Sequence, residues 1–294
     1  MGLIFAFLMA QPALCQTRAV PAETSKSSAP ASGKSAWIET ASPHFRIFHK
    51  AGWLPAGLEL ELERIYGRMR FDMSLFAPWM EKQRTTVYIY PSRADYAAGE
   101  FAPPAWSRGL ALYEKRAIAI YDDGDRDKLR GTVAHELAHL FFESFFQGTD
   151  SRTKLPPAWL DEGVAVMMED AAGGSGQWNA ALNRSLPERM KPLKTHVALQ
   201  PGEHDPPEAV EAWYLESFAM VKFLFSPARR LQFKGLCAEI RAGRTAESAL
   251  WKNYRFKTLS ELDTELRLWV SGGGRGGGWK FEPRGVSSFP FTKH

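Results

Sequence analysis

Two histidines and a glutamate near the middle of the chain have the residue types and spacing of a catalytic metal site. His135 and His139 stand four positions apart, and Glu136 directly follows the first of them. On a helix, positions i and i+4 lie on the same face, so both imidazoles can bind one metal ion. Glu136 can reach a water held at that metal and take its proton. The alternative is a pair of core histidines bonded to backbone groups.

The residues around this motif predict the helix that it requires. Neither Gly nor Pro occurs between Thr132 and Phe146, and apolar side chains recur at helical spacing. The apolar positions are Val133, Leu137, Leu140, Phe141 and Phe145. An acidic run precedes the helix. Asp125 or Asp127 within that run is expected to cap the helix N-terminus, where negative charge is stabilising.

The identity of a third ligand decides the type of site. Phe145 stands where the three-histidine zinc arrangement needs its last histidine, so that arrangement is excluded. Glu162 follows Pro156-Pro157, and proline suits the first turn of a second helix. Two histidines and one carboxylate leave the fourth zinc position open for water, as in catalytic sites. The alternative, a solvated helix charge at Glu162, is disfavoured because its neighbours are largely apolar.

Together the two stretches carry a family resemblance. His135-Glu136-Leu137-Ala138-His139 followed by Trp159-Leu160-Asp161-Glu162-Gly163 resembles the gluzincin zinc metallopeptidases, most of all the small bacterial families grouped as peptidase MA-like. The similarity extends over residues 36–271. It implies one Zn²⁺ per chain held by His135, His139 and Glu162, with Glu136 activating a zinc-bound water. The implied partner is a peptide or protein substrate.

The same resemblance points to two further elements. In gluzincins an edge strand just before the zinc helix accepts an extended substrate through its backbone, so residues 116–121 or the segment before them are candidates. The alternative is an ordinary inner strand. Tyr214-x-x-Ser217 resembles a helix downstream of the zinc ligands, where the Tyr214 hydroxyl could donate to the tetrahedral oxyanion. The alternative is a packed tyrosine with its hydroxyl at the surface. His196 and His204 are the next candidates for that donor role.

Composition narrows the remaining classes of function. The chain has 294 residues with a net charge of +4, and its lysines and arginines are dispersed, which gives nucleic-acid binding little support. No apolar run after residue 20 is long enough to cross a bilayer, so no stable membrane insertion is expected after signal cleavage. Only Cys15 and Cys237 are present, so a cleaved chain could form no internal disulfide.

The N-terminal residues indicate export. Leu3–Met9 is apolar, and Ala13-Leu14-Cys15 places small residues where signal peptidase needs them, although no Lys or Arg precedes the apolar core. The predicted organisation is a signal peptide at 1–15, a flexible leader at 16–35, the peptidase domain at 36–271 and a Gly-rich flexible tail at 272–294. The predicted location is secreted or periplasmic.

Periodicity predicts an α+β, zincin-like fold. Residues 36–50 and 84–90 indicate strands, and 54–79 indicates one long amphipathic helix. Helices are predicted for most of the chain from 208 to 270, the last one capped by Ser260. The expected architecture is a small mixed β-sheet lobe and a helical C-terminal lobe, with the helix of His135 and His139 between them.

These observations predict a zinc-dependent metallopeptidase that hydrolyses peptide bonds in exported proteins or peptides. Two alternatives stay open: a non-catalytic zinc-binding scaffold of the same fold, and a metal hydrolase for a non-peptide bond. Glu136 argues against the scaffold, because a structural zinc site has no use for a base there. The sequence leaves the oligomeric state open.

Overall fold

The computed structural model describes residues 37–50, 54, 56–104, 107–147, 155–173, 176–185, 189–202 and 205–272. The predicted signal peptide and leader, His204, and the predicted tail beyond Gly272 therefore lie outside the described residues. Among the helices that are described, none has both the length and the apolar character needed to cross a membrane.

A mixed five-stranded sheet forms the first part of the described chain. Its order is β1-β2-β3-β5-β4. The central strands β2, β3 and β5 are parallel to one another, and the two edge strands β1 and β4 are antiparallel to their neighbours. The strands are β1 Trp37–Ala41, β2 Phe45–Lys50, β3 Thr85–Tyr90, β4 Gly109–Leu112 and β5 Ala117–Tyr121.

The position of β5 settles one of the open alternatives. Residues 117–121 lie between β3 and β4, so this strand is an inner one and has no free edge. The Ala and Ile side chains of β5 are buried, which matches an inner strand covered on both faces. The segment before it, β4 at Gly109–Leu112, forms the sheet edge instead.

Helices make up most of the remaining structure. They are α1 Leu58–Met73, α2 Arg93–Ala97, α3 Arg126–Phe146, α4 Ala158–Met168, α5 Gln177–Ser185, α6 Leu193–His196, α7 Pro207–Leu224, α8 Arg230–Arg241, α9 Ala246–Tyr254 and α10 Leu259–Ser271. A π-helical turn at Glu169–Gly173 directly continues α4. A mixed α+β fold with a small mixed sheet is therefore confirmed.

Two predicted helix boundaries were wrong, each for a local reason. α1 is shorter than 54–79, because Gly57 precedes it with φ of 76° and Pro78 begins a separate 3-10 turn. α10 is capped by Thr258, whose side chain accepts a hydrogen bond from the Glu261 amide, whereas Ser260 lies inside the first turn. The Asp125 cap of α3 is confirmed, since its carboxylate accepts from the amides of residues 127 and 128.

One continuous hydrophobic core holds α3 in place. The inner face of the sheet presents fully buried residues such as Ile47, Val87 and Ile118, and α1 contributes Leu62 and Met69. α3 contacts this layer through β4, β5 and α1, and it contacts α4 and the π-helical turn as well. Each fully buried large apolar side chain contributes about 1.5–3 kcal/mol, so many such contacts fix the helix that carries the histidine motif.

Candidate metal centre

Side chains from α3 and α4 converge on one point. The Nε2 atoms of His135 and His139 are 3.1 Å apart. Oε2 of Glu162 lies 3.5 Å from His135 Nε2 and 3.6 Å from His139 Nε2. Bonds of about 2.0–2.2 Å to a tetrahedral zinc place neighbouring ligand atoms about 3.3–3.6 Å apart. The spacing of the three donor atoms therefore suits one zinc ion, and these residues form the candidate metal-binding group of the described chain.

Two further carboxylates orient the imidazoles. His135 Nδ1 lies 3.1 Å from Glu169 Oε2, and His139 Nδ1 lies 2.9 Å from Asp161 Oδ2. When an imidazole binds a metal through Nε2, a carboxylate at Nδ1 holds the remaining proton and fixes the ring orientation. Both Nδ1 atoms here face carboxylates rather than backbone groups, and the two Nε2 atoms face each other and Glu162 Oε2. The donor set therefore fits a bound metal better than a pair of core histidines bonded to backbone groups.

The electrostatics of the site favour positive charge. Burial opposes the charged form of His135, but Glu162 and Glu169 outweigh it and hold its pKa well above the ordinary value. For His139 burial is again outweighed, here by Asp161 and Glu162, which raise the pKa to about 9. Burial also opposes ionisation of Glu162, yet the two histidines hold its pKa below the ordinary value. A cluster of carboxylates in a buried site attracts a cation in the same way.

Glu136 lies on the face of α3 that meets the edge strand. Its carboxylate is buried, and Oε2 has no hydrogen-bond partner among the described residues. Burial raises the pKa of Glu136 above its ordinary value. A Cβ atom added to Gly109 of β4 would lie only 2.5 Å from Glu136 Cγ. The absence of a side chain at Gly109 therefore makes room for the carboxylate that the sequence predicts as the base.

Tyr214 reaches the site from α7. Its side chain is 5 % exposed and its hydroxyl oxygen is buried, so a hydroxyl at the surface is excluded. The phenol lies near enough to Glu162 for the two groups to shift each other's pKa, but no hydrogen bond of normal geometry joins them. Burial and the Glu162 charge raise the pKa of Tyr214 well above its ordinary value, so it keeps its proton at neutral pH. Its role as a donor stays a prediction.

Close backbone contacts at two glycines position α4 and the turn after it. A Cβ atom on Gly163 would fall 2.6 Å from the backbone oxygen of Ser217 in α7. A Cβ atom on Gly173 would fall 2.9 Å from Cα of Gly131 in α3. The first contact lies beside Glu162 and the second lies in the π-helical turn that carries Glu169. Larger residues at either position would separate the helices that bring the donor atoms together.

A buried carboxyl group, Glu143, lies behind the site on α3, one turn after His139. Burial and the Asp161 charge raise the pKa of Glu143 to about 8, so Glu143 holds a proton at neutral pH. Tyr113, in the 3-10 turn that follows β4, also interacts with this carboxyl. The polar network thus extends from His139 to the end of the edge strand.

The sequence reading missed Asp161, Glu169, Glu143 and Gly109. Glu169 follows Glu162 by seven positions, which is about two helical turns, so the helix period could have placed both carboxylates on one face. No comparable signal distinguishes Gly109. His196, a predicted fallback donor, is fully buried against Ser217 of α7, with Nε2 3.0 Å from Oγ.

Family comparison agrees with this geometry. The model of the Peptidase MA superfamily matches residues 78–272, a span that runs from the turn before β3 to the end of α10 and includes every candidate ligand. No curated protein matches the chain. Because the matched span covers well over half of the sequence, the chain belongs to the Peptidase MA superfamily.

Proposed function

We propose that the protein is a zinc-dependent metallopeptidase of the gluzincin type. His135, His139 and Glu162 would hold one Zn²⁺ per chain, and Glu136 would act as the general base. The observation that carries the proposal is the convergence of the three donor atoms at 3.1–3.6 Å, with each imidazole oriented by a carboxylate. Membership of a metallopeptidase superfamily supports the same reaction.

The chain's own residues would divide the work of hydrolysis. A zinc ion at these ligands supplies Lewis-acid chemistry, which polarises a carbonyl group and makes water acidic enough to react near neutral pH. Glu136 takes a proton from the attacking water and passes it to the leaving amine. Tyr214 donates its hydroxyl to the oxygen on which negative charge develops. Asp161 and Glu169 keep the imidazoles in the orientation that ligation needs.

The edge strand suggests how a peptide would bind. Among the described strands β4 pairs with β5 alone, so its other edge can form backbone hydrogen bonds with an extended segment. Gly109 in β4 contacts Glu136, so a peptide paired along β4 would pass close to the base. The zincin-like arrangement proposed here has the sheet lobe on one side of α3 and the helical lobe on the other, with the cleft along α3.

The two alternatives account less well for these features. A non-catalytic scaffold has no use for Glu136, since burying a carboxylate oxygen without a partner costs stability. A hydrolase for a non-peptide bond would need no strand edge beside its base. Peptide hydrolysis uses both features.

Metal analysis tests the ligand set. The purified chain is expected to carry about one zinc ion, because two histidines and a carboxylate hold zinc tightly. Loss of an outer-shell partner typically costs about 10–100-fold in metal affinity, and Glu162→Ala should cost at least as much. Elemental analysis after dialysis gives the zinc content, and peptide hydrolysis should vanish with a chelator and return with zinc. Glu208→Ala, at an exposed glutamate in the first turn of α7, is the control. Full zinc occupancy in Glu162→Ala would remove Glu162 from the ligand set.

A second test concerns location. We propose that the protein is secreted or periplasmic, because residues 3–9 are apolar and precede small residues near Cys15. A fusion of residues 1–35 to a reporter is expected to be exported and cut near Cys15, as judged by fractionation and mass spectrometry. Phe7→Asp, which places a charge in the apolar stretch, should keep the reporter inside. An uncut reporter in the cytoplasm for both fusions would contradict the proposal.

A further inference from the structure

A second buried polar cluster lies away from the candidate ligands, between α6 and α7. His196 Nε2 is 3.0 Å from Ser217 Oγ, and His196 Nδ1 is 3.4 Å from Glu216 Oε2. These contacts follow the order of a serine nucleophile, its histidine and a carboxylate. None of the three residues is more than 1 % exposed, however, so a substrate cannot reach the hydroxyl. The cluster therefore needs another explanation.

His196 belongs to a segment that makes several hydrogen bonds with α7. We call residues 189–202, which include α6, the clamp segment. Trp213 Nε1 donates to the backbone oxygen of Leu199 at 3.1 Å, and the amide of Lys191 donates to Glu216 Oε2 at 3.2 Å. Arg267 of α10 donates to the backbone oxygen of Lys191 at 2.9 Å. Hydrogen bonds from α7 and α10 thus hold the clamp segment in place. His196 contacts α7 as well, and its side chain is fully buried there.

Ser217 connects the clamp segment to the proposed active site. Its hydroxyl contacts His196, while its backbone oxygen packs on Gly163, the residue after Glu162. Tyr214 lies one turn earlier on α7 and faces Glu162. A rotation or shift of α7 at Ser217 would therefore move the Tyr214 hydroxyl relative to Glu162. The contact with His196 opposes that movement.

We infer that His196 is a positioning residue, which through Ser217 fixes α7 against α4 and so sets the place of the Tyr214 hydroxyl beside Glu162. The inference rests on the proposed function. Burial lowers the pKa of His196 to about 4, so the neutral ring can accept the Ser217 hydroxyl at neutral pH. A misplacement of about 1 Å in a reacting group can cost about 100-fold in rate, so a modest shift of α7 is enough to matter.

A double-mutant cycle separates positioning from simple loss of structure. His196→Leu should lower kcat by about 10–100-fold with little change in KM, because the oxyanion contact forms only in the transition state. The loss should disappear in the Tyr214→Phe background, where no hydroxyl remains to be misplaced. His196→Gln, which keeps a polar atom near the Nε2 position, should recover most of kcat. Equal losses in both backgrounds would overturn the inference.

Two further variants guard against a folding defect. Ser217→Ala removes the hydroxyl that His196 binds, keeps the backbone contact with Gly163 and favours the helix, so it should fold and show the same loss of kcat. Tyr254→Phe removes a hydrogen bond of 2.8 Å to the Leu224 oxygen at the far end of α7. It should lower thermal stability without lowering kcat. A loss of kcat in Tyr254→Phe as large as in Ser217→Ala would also overturn the inference.

A readout without catalysis separates this inference from the proposed function. In protein loaded with Co²⁺, the visible absorption reports the surroundings of the metal ligands. His196→Leu and Ser217→Ala should shift this absorption, whereas His196→Gln and Tyr254→Phe should not. If the Co²⁺ absorption shifts in both variants but the wild-type protein hydrolyses no peptide, the proposed function is wrong, while the role of His196 in positioning α7 is supported. An unchanged spectrum in His196→Leu, together with wild-type kcat, would overturn the positioning role alone.

Discussion

Glu136→Gln is expected to keep the fold and the bound zinc while losing peptide hydrolysis by at least about a hundredfold, the low end for a general base. The amide has the size of the carboxylate but cannot take a proton. Glu136 lies outside the group of three donor atoms, so metal content should not fall. The measurements are turnover of a broad peptide library, zinc content and thermal unfolding, each made on the wild type and the variant.

Gly109→Ala tests independently whether hydrolysis depends on the position of the Glu136 carboxylate. Its Cβ would clash with Glu136, so the base should be displaced and hydrolysis should fall while zinc stays bound. Gly67→Ala is the matched control, because a Cβ atom at Gly67 in α1 meets nothing within 4 Å. It should leave activity unchanged and raise stability slightly, since alanine favours the helix. Equal turnover by the wild type and Glu136→Gln would contradict the proposal that Glu136 is the general base.

Local spacing correctly predicted that His135 and His139 lie side by side, because both stand on a single helix. The four-residue step from His135 to His139 places both rings on one face of any helix, whatever surrounds it. Glu162 was harder to predict, since its approach depends on how α4 packs against α3. The run from Trp159 to Gly163, which resembles the corresponding run in gluzincins, suggested Glu162 as the third ligand. In the structure Glu162 Oε2 lies 3.5–3.6 Å from the Nε2 atoms of the two histidines.

Contacts between distant segments account for most of what the sequence did not reveal. Gly109 and Glu136 meet only because β4 lies at the sheet edge beside α3, and a glycine in a short strand carries no pattern that indicates this. Helical period places Glu169 on the same face as Glu162, but its contact with His135 also depends on how the π-helical turn that carries it packs against α3. Asp161 carries no sequence signal that separates it from a solvated helix charge, and only the packing of α4 against α3 brings its carboxylate to 2.9 Å from His139 Nδ1.

Strand order shows the same limit of local information. The composition of residues 116–121 predicted a strand correctly, but a strand's place within a sheet depends on its neighbours. The structure places this strand inside and gives the edge to Gly109–Leu112, whose short sequence has a weaker strand signal. Of the two candidates, residues 116–121 and the segment before them, the proposed peptide contact therefore falls on the segment before, β4, whose Gly109 lies against Glu136.

Tyr214→Phe is expected to lower kcat by about 10²–10³-fold, or about 2.7–4 kcal/mol of transition-state stabilisation, if the hydroxyl faces the developing oxyanion. The variant removes one oxygen from a buried ring and keeps the rest of the packing of α7. KM should hardly change, because the bond forms only at the tetrahedral stage. The measurement is kcat and KM on a peptide cleaved by the wild type, with zinc content determined on the same samples.

The control for Tyr214→Phe is Tyr254→Phe, which removes a buried hydroxyl that donates to Leu224 far from the ligands. Loss of zinc in Tyr214→Phe would mean that the hydroxyl supports Glu162 rather than the oxyanion, since the phenol lies beside that carboxylate. Wild-type kcat in Tyr214→Phe, with Glu136→Gln inactive, would keep Glu136 as the base and assign the oxyanion to another donor. His196 is committed to Ser217 and could not serve, so His204 would then be the next residue to change.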